Sequence, residues 1–177
     1  FGCAGSIVPI KQWELCLQAL ALVPPAIKLR VRHAGSENGT EISRQYAAGL
    51  KRLAAEPAVA GRWEWCGQFP DLRAFFPSID GLIVASKREA SSVAALEAMI
   101  AGVPVLAAAT SGTNELVQYC AGGENFADDA PADLAEKMIA LAQAGAPALS
   151  AGKREMLQRF AATAVAAKHE GVYRALA

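Results

Sequence analysis

Two glutamates eight positions apart, Glu89 and Glu97, are the residues of this chain best placed to do chemistry. Glu89 follows the continuous apolar run 81–85, which reads as a buried parallel strand, so it sits in the loop at the strand's end. Glu97 lies in a predicted helix over 92–101, where positions 93–101 read Val-Ala-Ala-Leu-Glu-Ala-Met-Ile-Ala. At about 3.6 residues per turn, it stands roughly a turn and a half from a helix start at Ser92. One carboxylate from a loop and one from a helix are thereby brought towards one crevice. Glu97 is the only polar side chain on 93–101, and it shares a face with Val93 and Ile100. A helix apolar all round is usually buried, and a buried carboxylate needs polar partners. Bound sugar hydroxyls would supply them. A glutamate on a partly exposed alanine-rich face would need none, and periodicity leaves the two readings level.

The loop 89–92 (Glu-Ala-Ser-Ser) opens that helix at a strand's carboxyl end. The free amides of a helix start, together with the helix dipole, form a ready anion site for a diphosphate. For the hydroxyls of Ser91 and Ser92 an ordinary N-cap is the expectation. Under either reading, the backbone amides near Ser92 and Val93 can face a phosphate.

The elements that must position these groups alternate strand with helix. Strands are predicted into Gly2 and Gly5, then at 28–34, 62–66, 81–85, 103–108 and around 125–127. Helices are predicted at 11–23, 40–55, 92–101, near 114–119, and at 131–143 and 151–176, with a short helical turn at 71–76. The pattern implies an α/β fold, one doubly wound, Rossmann-like parallel sheet with helices on both faces, over the whole of 1–177. Such sheets bind ligands beyond the carboxyl ends of their strands. In 28–34, Lys28, Arg30 and Arg32 alternate with Leu29, Val31 and His33. The favoured reading is a half-exposed strand with its cations in solvent; the lesser one is that Arg32 reaches a phosphate.

Composition narrows the classes further. Seventeen basic residues balance seventeen acidic ones, so the electrostatic source for nucleic-acid binding is missing and an anion must be gripped locally. Cys3, Cys16, Cys66 and Cys120 are scattered and suggest neither a zinc site nor a disulfide framework, but reduced, mostly buried thiols in a cytoplasmic protein. The most apolar stretch, 93–109, is interrupted by Glu97, Gly102 and Pro104, too early for a membrane helix. Phe1-Gly2-Cys3-Ala4-Gly5 reads as a strand entering a glycine turn with no methionine before it, so a fragment cut at a domain boundary is expected. Catalysis through His33 or His169 is not expected.

The glutamate pair and its surroundings resemble the retaining family 4 glycosyltransferases of the GT-B fold, which carry a Glu, seven residues, Glu motif. Here that motif is Glu89 and Glu97, with Ser86 before it. It continues through Leu96-Glu97-Ala98-Met99 and Ala101-Gly102-Val103-Pro104-Val105 to Gly112 and Glu115. Lys11 and Ala19 match the family's lysine and following helix, Gly35 and Gly67 the ends of its strands, and Val172-Tyr173-Arg174 the close of its last helix. The resemblance covers nearly the whole chain and implies the donor-binding half of a two-domain enzyme.

That likeness implies a site for a nucleotide-diphosphate sugar. Glu97 would hold the ribose hydroxyls, and Glu89, the catalytic assignment, would contact and orient the donor sugar. Lys11 would neutralise the diphosphate, helped by the turn at Gly5 and Ser6 and by the amides at Ser92 and Val93. No metal and no cofactor beyond the donor is implied, and Glu115 at a helix start would complement the dipole. The acceptor would be bound by an amino-terminal GT-B domain absent from this chain. Any peripheral membrane contact would run through that domain, and the chain by itself should not transfer sugar. Two positions depart from the family. Ser6 stands where it has an arginine, which should weaken diphosphate binding, and Ala90-Ser91-Ser92 replaces its proline, aromatic and glycine. Ser6 also keeps a second class open, a non-catalytic GT-B-like partner or regulatory subunit with a degraded phosphate site. Two further readings carry less weight. A dinucleotide-dependent oxidoreductase, suggested by Gly2-Cys3-Ala4-Gly5, lacks the correctly spaced third glycine. Epimerisation of a nucleotide sugar is allowed by the fold, but the order of motifs favours transfer.

Overall fold

The computed structural model describes residues 1–109, 112–120, 122–145, 154 and 157–176. Six short parallel strands form one sheet in the order β3-β2-β1-β4-β5-β6: β1 Gly2–Ala4, β2 Val31–Ala34, β3 Trp63–Gly67, β4 Leu82–Val84, β5 Val105–Ala108 and β6 Gly123–Phe126. The helices are α1 Trp13–Leu22, α2 Glu41–Ala54, α3 Val93–Ile100, α4 Thr113–Cys120, α5 Pro131–Ala144 and α6 Ala162–Leu176. Strands β4 and β5 are buried at every residue because helices cover both faces. That is why they read as unbroken apolar runs rather than alternating ones. One face packs against α1, α2 and α5 through Leu17, Leu20, Leu50, Leu134 and Met138; the other packs against α3 and α4 through Ala98, Met99, Leu116 and Val117.

The chain winds outward from β1 to β3, then returns to place β4 on the other side of β1. The loops leaving β1 and β4 therefore diverge at one point, and a crevice opens between them. On the β2 side, two backbones press together at the mouth of that crevice. The Gly5 amide donates to the Ala34 carbonyl at 2.9 Å, and a Cβ added at Gly35 would lie 1.9 Å from the Gly5 carbonyl oxygen. Only glycine fits there.

Three sequence expectations shift. The second strand starts at Val31 rather than at residue 28, because its neighbours begin at Gly2 and Trp63, opposite Arg32 and Val31. Residues 28–30 have no ladder to join, and Lys28 and Arg30 are exposed. The helical turn at 71–76 is two single 3-10 turns, Leu72–Ala74 and Phe76–Ser78, the first capped by Asp71, whose side chain accepts from the Arg73 amide at 2.9 Å. The helix expected over 151–176 is broken at 159–161 before α6. Most of its amino-terminal part lies outside the described residues.

Cys3, Cys16 and Cys66 are free thiols, and the first two are buried. The neighbouring Cys3 thiol and burial push the Cys16 thiol well above its ordinary value, so it stays protonated and inert. No described helix is long and apolar enough to cross a membrane.

Candidate functional site

Lys11 ends a single 3-10 turn, Pro9–Lys11, in the loop that leaves β1. Gln12 follows in the left-handed conformation (φ 51°) and turns the chain into α1. The loop after β4 is tied to this turn, since the Lys87 amide donates to the Ile10 carbonyl at 3.0 Å. Across the junction, Lys11 Nζ donates to Glu89 Oε2 at 2.6 Å, an ion pair whose side chains are 25% and 20% exposed. Ser86 Oγ donates to the same oxygen at 3.1 Å. Glu89 Oε1 has no partner among the described residues. A cation and an anion thus meet at the switch point, within reach of solvent. Gly5 borders them, because a Cβ there would lie 3.6 Å from Lys11 Cε.

The helix start behind Glu89 is only partly available. Ser92 is buried and caps α3, its hydroxyl accepting from the Ala95 amide at 3.2 Å, the N-cap role expected of it. Its own amide donates to Thr113 Oγ1 at 3.2 Å. The Ser92 amide, expected to face a phosphate, is thus engaged by a buried hydroxyl from α4. The amides of Val93 and Ala94 remain, with no partner among the described residues. The loop is also braced from behind. The Gly112 amide donates to the Glu89 carbonyl at 2.6 Å, and a Cβ at Gly112 would sit 1.8 Å from the Ala90 carbonyl oxygen. Glu115 lies in the first turn of α4 and is exposed, as a dipole-complementing acid would be.

Glu97 is exposed, on the same outward face as Val93 (68% exposed) and Ile100 (56%). Of the two readings that periodicity left level, the partly exposed alanine-rich face is the one observed. Only the face of Ala95, Ala98 and Met99 is buried, where alanine lets α3 lie close against the sheet. The Glu97 carboxylate has no hydrogen bond or ion pair among the described residues, and nothing links it directly to Lys11 or Glu89. Its charge is felt by Arg73, in the turn after β3 on which α3 packs. Next to that turn, Gly5, Ser6, Gly35, Gln68, Phe69 and Leu72 line a cleft of about 210 Å³ at the carboxyl ends of β1, β2 and β3. Ser6 is exposed at its rim.

Arg32 does not reach this site. It stands opposite Gly2, at the amino end of the sheet, and its guanidinium donates to both Glu64 oxygens at 2.9 and 3.0 Å. Thr113 and the bonding role of Ser86 had no local signal. Thr113 is 21 residues from the amide it holds, and only the packing of α4 brings the two together.

The chain's sequence matches the family described as Glycosyl transferases group 1 over residues 1–144. It is 32% identical over 152 residues to the D-inositol 3-phosphate glycosyltransferase of Mycolicibacterium paratuberculosis, an alignment covering 85% of this chain and 33% of that protein. Thermobispora bispora has a protein of the same name that is 30% identical over 178 residues, covering 96% of this chain and 41% of its own length. This chain therefore spans between a third and two-fifths of these relatives. Among solved structures, HepE of Anabaena in complex with UDP-glucose superposes with a TM-score of 0.86 at 21% identity, covering 98% of this chain and 48% of that one. The C-terminal domain of a group 1 family glycosyl transferase from Francisella tularensis superposes with a TM-score of 0.70 at 16% identity, covering 96% and 86%.

Proposed function

We propose, on the premise that this chain belongs to the group 1 glycosyl transferases, that it is the nucleotide-diphosphate-sugar-binding domain of an enzyme transferring a hexose-type sugar with retention. The observation that carries this reading is the Lys11–Glu89 pair at the switch point, beside the Val93 and Ala94 amides, which have no partner among the described residues. In this reading Lys11 and those amides face the diphosphate. As the sugar–phosphate bond breaks, charge builds on the leaving oxygens, and fixed donors aimed there stabilise it more than they stabilise the ground state. Glu89 accepts sugar hydroxyls at Oε1 and holds the sugar at the angle that transfer requires. Glu97, exposed on α3 and near enough to Arg73 for its charge to be felt there, takes the ribose hydroxyls. No metal is invoked, because the lysine and the helix start carry the charge.

The acceptor site belongs, in this reading, to a further domain, as the greater length of the relatives suggests. Helix α6 fits such an arrangement, since none of its residues is buried and Val172, Tyr173 and Leu176 are 55–80% exposed. The reading places the protein in the cytoplasm, with any membrane contact made through that other domain, and it makes this chain alone inactive in transfer.

Calorimetric titration with UDP, GDP and ADP and their sugars tests the donor site. Saturable binding is expected, and Glu97→Ala should weaken the diphosphate and its sugar equally, by about tenfold, because a ribose contact is common to both. An absence of binding at millimolar ligand overturns the reading and favours a non-catalytic GT-B-like partner, for which Ser6 is the supporting observation. Ser6 also offers a gain. Ser6→Arg places a second cation at the cleft rim and should tighten diphosphate binding by about tenfold. Unchanged affinity in the same titration would show that position 6 does not face the phosphates.

A further inference from the structure

Among the described residues, Lys11 is the one cation that pairs with Glu89, and it is thereby already engaged. Its Nζ sits 2.6 Å from Glu89 Oε2, which the Ser86 hydroxyl also holds. Ser6, at the rim of the neighbouring cleft, brings no charge. The two charges of the pair therefore offset each other before any ligand arrives. A diphosphate entering this site must share Lys11 with a carboxylate, and it lies close to that carboxylate's own negative charge. Partly buried charges at such range are poorly screened. Glu89 is thus an anion competing with the diphosphate for one cation.

An attached sugar changes that balance. Its hydroxyls donate hydrogen bonds, and Glu89 Oε1 is an acceptor without a partner among the described residues. A carboxylate that receives hydroxyls is compensated while Lys11 turns to the phosphates. A spent diphosphate has no hydroxyl to offer at that position, so Glu89 is left facing it uncompensated. Resting on the donor-site reading above, we infer that the Lys11–Glu89 pair is a selectivity device, which favours the intact nucleotide-diphosphate sugar over the spent nucleotide diphosphate. The attraction to Lys11 serves either ligand; the repulsion from Glu89 is relieved only when the sugar is present. In turnover such a device would hasten release of the spent nucleotide.

Glu89→Gln tests this, because it removes the charge but keeps the shape and the hydrogen-bonding reach. The probes are UDP and UDP-glucose, GDP and GDP-mannose, and ADP and ADP-glucose, titrated into the unaltered chain and the variant by calorimetry, with melting temperatures confirming that both are folded. For whichever base binds, the variant should hold the free diphosphate about tenfold more tightly than the unaltered chain does. The sugar-bearing ligand should be held no more tightly, so the ratio of the two affinities moves about tenfold towards the diphosphate. A purely structural role for Glu89 would move both affinities together. Equal or weaker diphosphate binding in Glu89→Gln, with the unaltered chain binding normally, overturns the inference and leaves the donor site standing. Should Glu89→Gln fail to fold, Ser86→Ala loosens the carboxylate from its tether and must shift the same ratio; an unchanged ratio there also overturns it. If the unaltered chain binds none of the six ligands, the donor-site reading itself fails, and this inference with it.

Discussion

Lys11→Ala is expected to weaken nucleotide-diphosphate binding by about 100-fold. A charge-assisted contact accounts for about 1.5–3 kcal/mol, or roughly ten- to 150-fold. The upper part of that range is expected because the loss is double: the phosphates lose their cation, and Glu89 loses the partner that offset its charge. With side chains only 25% and 20% exposed, the pair also contributes to stability, so the melting temperature is read beside the affinity and only a variant that still unfolds cooperatively is scored. The fall in affinity would then belong to the site. In the double variant Lys11→Ala/Glu89→Gln the loss should be smaller than in Lys11→Ala alone, since the uncompensated carboxylate is gone as well. Titration of the single and double variants checks both points. A loss under about threefold in Lys11→Ala would mean that the lysine serves the loop and not a ligand.

Acidification from pH 6.5 to pH 4 is expected to cost the fold about 3 kcal/mol through one side chain. His33 lies in β2 with no exposed surface, and neither ring nitrogen has a hydrogen-bond partner among the described residues. The rings of Trp13 and Trp65 meet it edge-on at 5.0 and 5.3 Å, and Trp63 stacks at 6.2 Å. Burial lowers its pKa from 6.5 to about 4, because the imidazolium would lose its water and gain no acceptor. Between these two values the unfolded chain binds the proton and the folded one does not, so stability falls as pH falls. The contribution is fully present above pH 6.5 and is lost by about pH 4, below which this residue adds no further slope. A gap of about 2.5 pH units corresponds to about 3 kcal/mol. His33→Phe keeps a ring in the aromatic cage and removes the titration. Urea unfolding at half-unit pH steps should therefore give a slope over this window that the variant lacks. Parallel profiles for the two proteins would show that His33 does not carry the effect.

The layout of the sheet was legible in the residues because each local signal acts over a few positions. The runs at 81–85 and 103–108 are short, apolar and followed by glycine or polar loops, so they mark β4 and β5 within two residues of their ends. Ser92 announced the start of α3 because a cap hydroxyl needs only the amide three residues ahead. Charged residues near the ends of elements were harder to place. Lys28 and Arg30 alternate as a strand would, yet stay outside the ladder because no neighbouring strand reaches them. For Glu97, periodicity left a buried and a partly exposed helix level; α3 packs one side against β4, β5 and the turn after β3 and leaves Val93, Glu97 and Ile100 in water.

By itself, then, the order of residues determined the alternation of strand and helix, the crevice beyond the strands' carboxyl ends and the position of Glu89 in the loop beside it. The tertiary structure alone decided which groups meet there. Lys11 and Glu89 are 78 residues apart and pair because β1 and β4 are neighbours in the sheet. The Ser92 amide is engaged because Thr113 packs over it, and His33 is stripped of water by tryptophans from positions 13, 63 and 65. Periodicity reports the surroundings a residue creates along its own segment. Which distant charge or ring closes over it depends on how the segments stack, and that is settled by the whole core at once.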